Sequence, residues 1–392
     1  MKLPRTLLPI LALCALATLA GCGGGSGSFI QKQPPPPPTG TNYTTCPDQQ
    51  GSNQQVPNWQ SNLFQTNYQA AIRALVNKYG SASNIGYIRI GLGRGGEINL
   101  PQGWNDPSSG ACYGGYSGTW GYTVGGDASF TWNNYLKTMV QYEGGLGSAK
   151  PLLVSITPVT GAGIAVDDFI APIAVQNGLS YGNQGLQASD ITNYPNCGGD
   201  WCHLFATVPP NIAELQTLGQ SCPQGVGACP GLNGNTGPLP PLLPFAVNHG
   251  ATDLELYYQD WLIAYDPNDP NNAAYGATYK AAIEAAAASA TMQVLFPDPN
   301  NADIATYVMK QPSVTGAVID VDWSDFDLGG GQYDWTITDA AIQPWISAGK
   351  KVNLVLQNTT YGGNNCPNSG IGSNGNVGSN CAMPPWMWTV LQ

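Results

Sequence analysis

The chain contains only five glutamates: Glu97, Glu143, Glu214, Glu255 and Glu284. Paired carboxyl groups do general acid/base and nucleophilic work, as in glycoside hydrolysis, where one protonates the leaving oxygen and the other attacks or activates water. So small a supply makes the choice sharp. Glu143 and Glu284 fall in helix patterns and read as solvated. Glu97, just past the strand-like run Ile85–Leu92 and a glycine-rich turn, reads as a general acid/base, or else as a loop carboxylate paired with Arg94. Glu255 lies on one face of TDLELYY with Asp253 and Tyr257. It reads as a nucleophile or partner base, or as half of a buried ion pair with Arg89. Glu214 competes for the same role, its alternative being a helix-start carboxylate after Pro209-Pro210-Asn211.

Other polar and aromatic residues gather around these three. Asp320 and Asp322 alternate with Ile319 and Val321 in GAVIDVDW, and Asn353 and Gln357 repeat the pattern in KVNLVLQ, so all four point to one side of their strands. Tyr257, Trp104, Trp323 and Trp386 fall at or beyond strand ends, where aromatic faces stack on pyranose rings. Candidate substrate contacts are therefore Arg94, Trp104, Gln216, Tyr257, Asp322, Trp323, Gln357 and Trp386, while Asp320 leans towards a structural role on Arg89. The two histidines, His203 and His249, and the absence of CxxC pairs argue against a metal. The turn Gly93–Gly96 does not open a helix, so no nucleotide loop is read, and no cofactor is expected.

The elements that would position these residues alternate. Helix patterns over Asn62–Lys78 and Trp132–Tyr142 flank the strand Ile85–Leu92. Strand Pro151–Thr157 follows, then a weak strand near Ala171–Leu179 and a poorly bounded one between Trp201 and Leu218 that carries Glu214 and Gln216. Strand Thr252–Tyr258, helix Tyr275–Ala290, strand Met292–Phe296, helix Ala302–Lys310, strand Gly316–Trp323, helix Ile337–Ser347 capped by Gly349, and strand Lys351–Gln357 complete the count. Eight strands alternating with helices predict an α/β fold, a single closed (β/α)8 barrel with long Gly/Asn/aromatic-rich loops.

VTGAVIDVDWSDFDLGGGQYDWTITDAAIQPWISAGKKVNLVLQ and the later PPW resemble the opening strands of (β/α)8 glycoside hydrolases of the large clan with two catalytic glutamates. The Glu97 segment resembles that clan's fourth strand, which carries its acid/base. The resemblance implies a retaining glycoside hydrolase acting on an oligo- or polysaccharide. It also implies a circular permutation, with family order running Met292–Gln392 and then Cys46–Ala290. Two departures stand out: the clan places asparagine before its acid/base, where this chain has Gly96, and the seventh-strand nucleophile lacks its usual setting. The alternative is a non-catalytic carbohydrate-binding or surface interaction protein on the same scaffold.

The 392 residues carry a net charge of -11 with only 9% charged residues, which argues against nucleic acid or an anionic membrane surface as partner. Lys2 and Arg5 precede the apolar run Leu7–Leu19, shaped like a signal peptide. Leu19-Ala20-Gly21-Cys22 resembles the bacterial lipobox, which implies cleavage after residue 21, lipidation of Cys22 and a place in the bacterial cell envelope. Residues 22–45, with a Gly/Ser run and Pro34–Pro38, read as a tether, and residues 46–392 as the barrel. Eight cysteines then remain, and in an oxidising compartment an even number reads as disulfides. Close spacing pairs Cys197–Cys202, Cys222–Cys229 and Cys366–Cys381, leaving Cys46–Cys112.

Overall fold

The computed structural model describes residues 43–47, 53–57, 59, 61–98, 131–156, 165–197, 201–228, 235–298, 300–358, 382–384 and 386–387. A hairpin of β1 (Tyr43–Pro47) and β2 (Asn53–Pro57) precedes helix α1 (Asn62–Tyr79) and strand β3 (Ile85–Ile90). Next come α2 (Thr131–Gly144), β4 (Leu152–Ile156), α3 (Ala165–Gln176) and β5 (Ser180–Leu186). Two short helices, α4 (Ala188–Asn193) and α5 (Trp201–Thr207), lead to β6 (Ala213–Thr217), α6 (Leu239–Asn248) and β7 (Asp253–Tyr257). Then follow α7 (Tyr258–Tyr265), α8 (Ala277–Ala286), β8 (Thr291–Leu295), a π turn (Ile304–Val308) and β9 (Gly316–Asp322). A small hairpin, β10 (Asp327–Gly329) with β11 (Gln332–Tyr333), precedes α9 (Thr336–Ser347) and β12 (Lys351–Gln357).

Strands β3 to β9 and β12 close into an eight-stranded, all-parallel barrel in chain order, with β12 returning to β3. The fold is the (β/α)8 barrel that the alternation predicts. Its wall follows from period-2 patterning. Ile88, Ile90, Val154, Ile156, Leu215, Leu254, Leu256, Val294, Val321, Leu354 and Leu356 face outward and are buried under the helices. The inward positions are largely polar, apart from Leu153 and an apolar cluster of Leu295, Val318 and Val355.

The ring starts with a helix. Phe64 and Tyr68 of α1 pack on Trp323 beyond β9, and Tyr79 packs edge-on against Trp335 at the start of α9. On its other flank, Arg73 of α1 donates to the Tyr142 hydroxyl of α2. Helix α1 therefore fills the place between α9 and α2 that a strand-first barrel gives to its last helix.

Several sequence expectations need correction. Residues 171–176 are helix, and the strand is the following segment, Ser180–Leu186. Its glycines lie past the expected strand, but Gly182 is required: a Cβ there would occupy the site of the Glu214 carboxylate. Residues 201–207 are helix, and β6 begins only at Ala213. The alanine-rich helix is Ala277–Ala286, preceded by a π turn at Asn272–Gly276. The helix expected over Ala302–Lys310 is present but shorter: residues 302–308 are helical, the last five, Ile304–Val308, as a π turn. Helix α6 (LPPLLPFAVN) was hidden by its prolines, two of which sit in the first turn, where no N–H is missed. Glu143 is not solvated but 1% exposed.

Candidate active site

Tyr87 and Arg89 of β3, Ser155 of β4, Gln184 of β5, Glu214 and Gln216 of β6, and Asp253, Glu255 and Tyr257 of β7 all point into the barrel. Register fixes this: Glu214 pairs with Asp253 and Gln216 with Glu255, and paired residues of parallel strands face the same side. The interior is organised on one guanidinium. Arg89 Nη1 lies 3.0 Å from a carboxylate oxygen of Glu255 and 3.4 Å from one of Glu214. The two carboxylates thus face each other across a single nitrogen, no farther apart than those two contacts laid end to end. Arg89 Nη2 donates to Gln216 at 3.4 Å.

Each glutamate has a second partner. The Tyr87 hydroxyl donates to Glu255, and the Gln184 amide donates to Glu214 at 2.8 Å. Ser155 donates to Gln184 in turn. Burial pushes the Glu214 carboxyl well above the usual carboxylate range; Glu255 beside it adds to the shift and Arg89 opposes it. One layer down, Asp253 accepts from Thr291 and Gln293, and burial pushes it up to about 7. Both glutamates are fully buried.

A second tier lies nearer the C-terminal ends of the strands. After β3 the chain turns through Gly95 (φ 64) and Gly96 (φ 77), and the Gly93 N–H donates to the Glu97 carbonyl. Gly96 packs so closely on β12 that a Cβ would come within 2.9 Å of Val355 Cγ1. Left-handed backbone and lack of room together explain why this position holds glycine. The turn sets Glu97, half-buried, where its charge reaches Tyr257. Burial first, and Glu97 second, raise the Tyr257 hydroxyl to about 12, against a hydrogen bond with Gln216. Gln216 thereby links this tier to Arg89. Across the barrel, Asp320 interacts with Gln357, and burial holds its carboxyl up at about 7, with Arg89 opposing. Asp322 and Asp325, side by side, are both raised, first by burial.

The structure therefore brings together Glu214, Glu255, Gln216 and Tyr257, with Glu97 over Tyr257. Asp322 and Gln357 pair in register on β9 and β12. Trp323 lies elsewhere: wholly buried, it packs on Phe64, Tyr68 and Trp386 and donates to Asp327. Trp386, half-buried, donates to the Asp327 carbonyl. Trp104 and the side chain of Arg94 lie outside the described residues, as do the leader, Cys22, the tether up to residue 42, Cys112, Cys229, Cys366, Cys381 and the side chain of Cys46; residues 43–45, expected as tether, belong to strand β1. The Cys197–Cys202 disulfide is formed as spacing suggests, and Cys222 is disulfide-bonded too.

No protein-family model and no curated protein matches the chain.

Tyr87, Gln184 and Ser155 are the members of the network that residue-type reasoning passed over. Tyr87 was legible as an inward alternate of Arg89. Gln184 was not, because its strand was placed earlier, near Ala171–Leu179, and not at Ser180–Leu186. Among the described residues, no group of three or more His, Cys, Asp and Glu is disposed to hold a metal ion, and no helix is long and apolar enough to cross a membrane.

Proposed function

We propose that this chain is a retaining glycoside hydrolase whose reacting pair is Glu214 and Glu255. The observation that carries the reading is the pair itself: two glutamates on one guanidinium nitrogen, at 3.4 and 3.0 Å from it, a reach that admits the ~5–5.5 Å separation of retaining enzymes. Their surroundings also divide the roles. Glu214, held protonated by burial, is suited to give its proton to the leaving oxygen. Glu255, fixed by Tyr87 and Arg89, is suited to attack the anomeric carbon. Glu214 then takes a proton from the water that releases the sugar. Glu97 and Tyr257 meet the substrate at the mouth in this scheme, and the helix-first ring supports a permuted order relative to the glycoside hydrolase clan that the sequence resembles. The N-terminal segment supports a lipid anchor at Cys22 in the cell envelope.

A specific observation favours the rival reading, a non-catalytic carbohydrate-binding protein: both glutamates are 0% exposed. Substrate reaches them only if the Tyr257–Gln216 layer yields. Sugar release from a panel of polysaccharides and aryl glycosides separates the two. As hydrolase, the wild type releases sugar and Glu255→Gln lowers the rate by about 10³-fold or more while the fold is kept. If only Glu97→Gln abolishes release, the acid/base is at the mouth. Glycan binding without release by a folded wild type establishes the binder.

A further inference from the structure

The barrel wall is breached beside its polar interior. β8 and β9 pair only as far as Leu295 and Val318. At Phe296 (φ 47) the chain turns aside in a left-handed conformation that a large side chain rarely adopts and that marks strained, over-determined positions. The gap opens into a cavity of about 500 Å³, within the range of small-molecule sites. Inward-facing Asp320 and outward-facing Ile319 both line it, so it runs through the wall. Its outer end lies between the π turn and α9, where Ala305, Ala340 and Pro344 are exposed.

The walls are mainly apolar, with Phe296, Ile304, Met309 and Trp345 contributing most of the large surfaces. The inner end is a carboxyl group. Asp320 Oδ1 is buried without a hydrogen-bond partner, an arrangement that calls for a donor. Asp298 stands on the same lining, and no Lys, Arg or His does. The groups that reach Asp320 are Arg89 on β3, Glu255 and Tyr257 on β7, Gln357 on β12, Asp322 on its own strand and Asp325 just beyond it. One cation faces four carboxyl groups, so the inner end is short of positive charge. The π turn and α9 contribute no titratable group to the lining.

We propose that this cavity binds a small primary amine on an apolar body, with the ammonium on Asp320 and the body against Phe296 and Trp345. An ammonium brings three donors and the missing charge, and aromatic faces suit a cation that has left water. An anion would meet Asp320 and Asp298. A sugar would set most of its hydroxyls against apolar walls, with Asp298, Asn300, Asn301 and Asp320 alone to pair them.

Titration calorimetry of the full chain tests this with 2-phenylethylamine, 2-phenylethanol and 3-phenylpropionate. The amine is expected to bind one per chain, about tenfold or more tighter than the alcohol, with the propionate weakest. Its affinity falls by about tenfold per pH unit below about 7, as Asp320 takes up a proton. Asp320→Asn removes the preference for amine over alcohol, and Ala341→Phe, which fills the cavity from α9, abolishes binding of both. Equal binding of amine and alcohol, amine binding unchanged in Ala341→Phe, or no binding to the folded wild type each overturns the proposal. The comparison of the three probes on wild type decides the matter even if Asp320→Asn fails to fold.

Discussion

Arg89 holds the interior together by charge. Glu214 and Glu255 are fully buried, and among the described residues its guanidinium is the cation that lies beside both. Arg89→Met is expected to cost about 3–5 kcal/mol, because it strands buried carboxylates instead of merely deleting a contact; urea denaturation measures it. Glu143 presents the opposite case. Neither carboxylate oxygen has a partner, and burial alone pushes the group well above the usual carboxylate range. A raised folded value means the neutral form is stabilised, so its contribution is complete at acid pH and is lost as pH rises. Glu143→Gln should therefore raise the melting temperature at neutral pH and leave it nearly unchanged at acid pH. The Arg89–Glu255 pair was legible because both residues fall on the inward alternates of clear strands. Glu143 was not legible, because a helix pattern alone does not say which neighbour covers its polar side.

Among the elements, α9 and β12 follow most directly from local chemistry. Helix α9 ends at Ser347 with Ala348 as its C-cap, and Gly349 (φ 73) and Lys350 donate back to Ile346 and Trp345, the capping arrangement that glycine favours. Gly349→Ala is expected to cost about 1–2 kcal/mol by forcing a Cβ into left-handed backbone, read as a shift of the urea midpoint at constant slope. β12 was read with the bounds it has, because KVNLVLQ alternates cleanly. β5 was missed for a reason that lies outside its own residues. SYGNQGL needs Gly182 only because Glu214 of β6 fills the space beside it, and a single segment does not reveal its neighbour's bulk. Gly182→Ala should displace Glu214 from Arg89; under the hydrolase reading it lowers sugar release more than Gly349→Ala does at similar stability.

Over the whole molecule, buried carboxyls set the pH response. Asp253, Asp260 and Asp320 are held at about 7 against a free value of 3.8, in each case chiefly by burial, and Glu214 is raised as well. Between those values the native chain retains protons that the unfolded chain has released. Stability is therefore fullest below about pH 4 and declines as pH climbs through about 7. A melting temperature that falls between mildly acid and mildly alkaline buffer is the expected result, the reverse of a protein stabilised by ionised carboxylates.

The closure of β12 on β3 has a consequence for the newborn polypeptide. The backbone N–H of Tyr87 donates to the side chain of Asn353, 266 positions away, and the first barrel helix waits for a flank, Trp335 and α9, that is made 256 positions after Tyr79. Until the stretch 351–357 has emerged, β3 and β9 each present a bare edge to the surroundings. Such a ring completes itself only after its last strand is released from the ribosome, and until then it depends on whatever guards those edges.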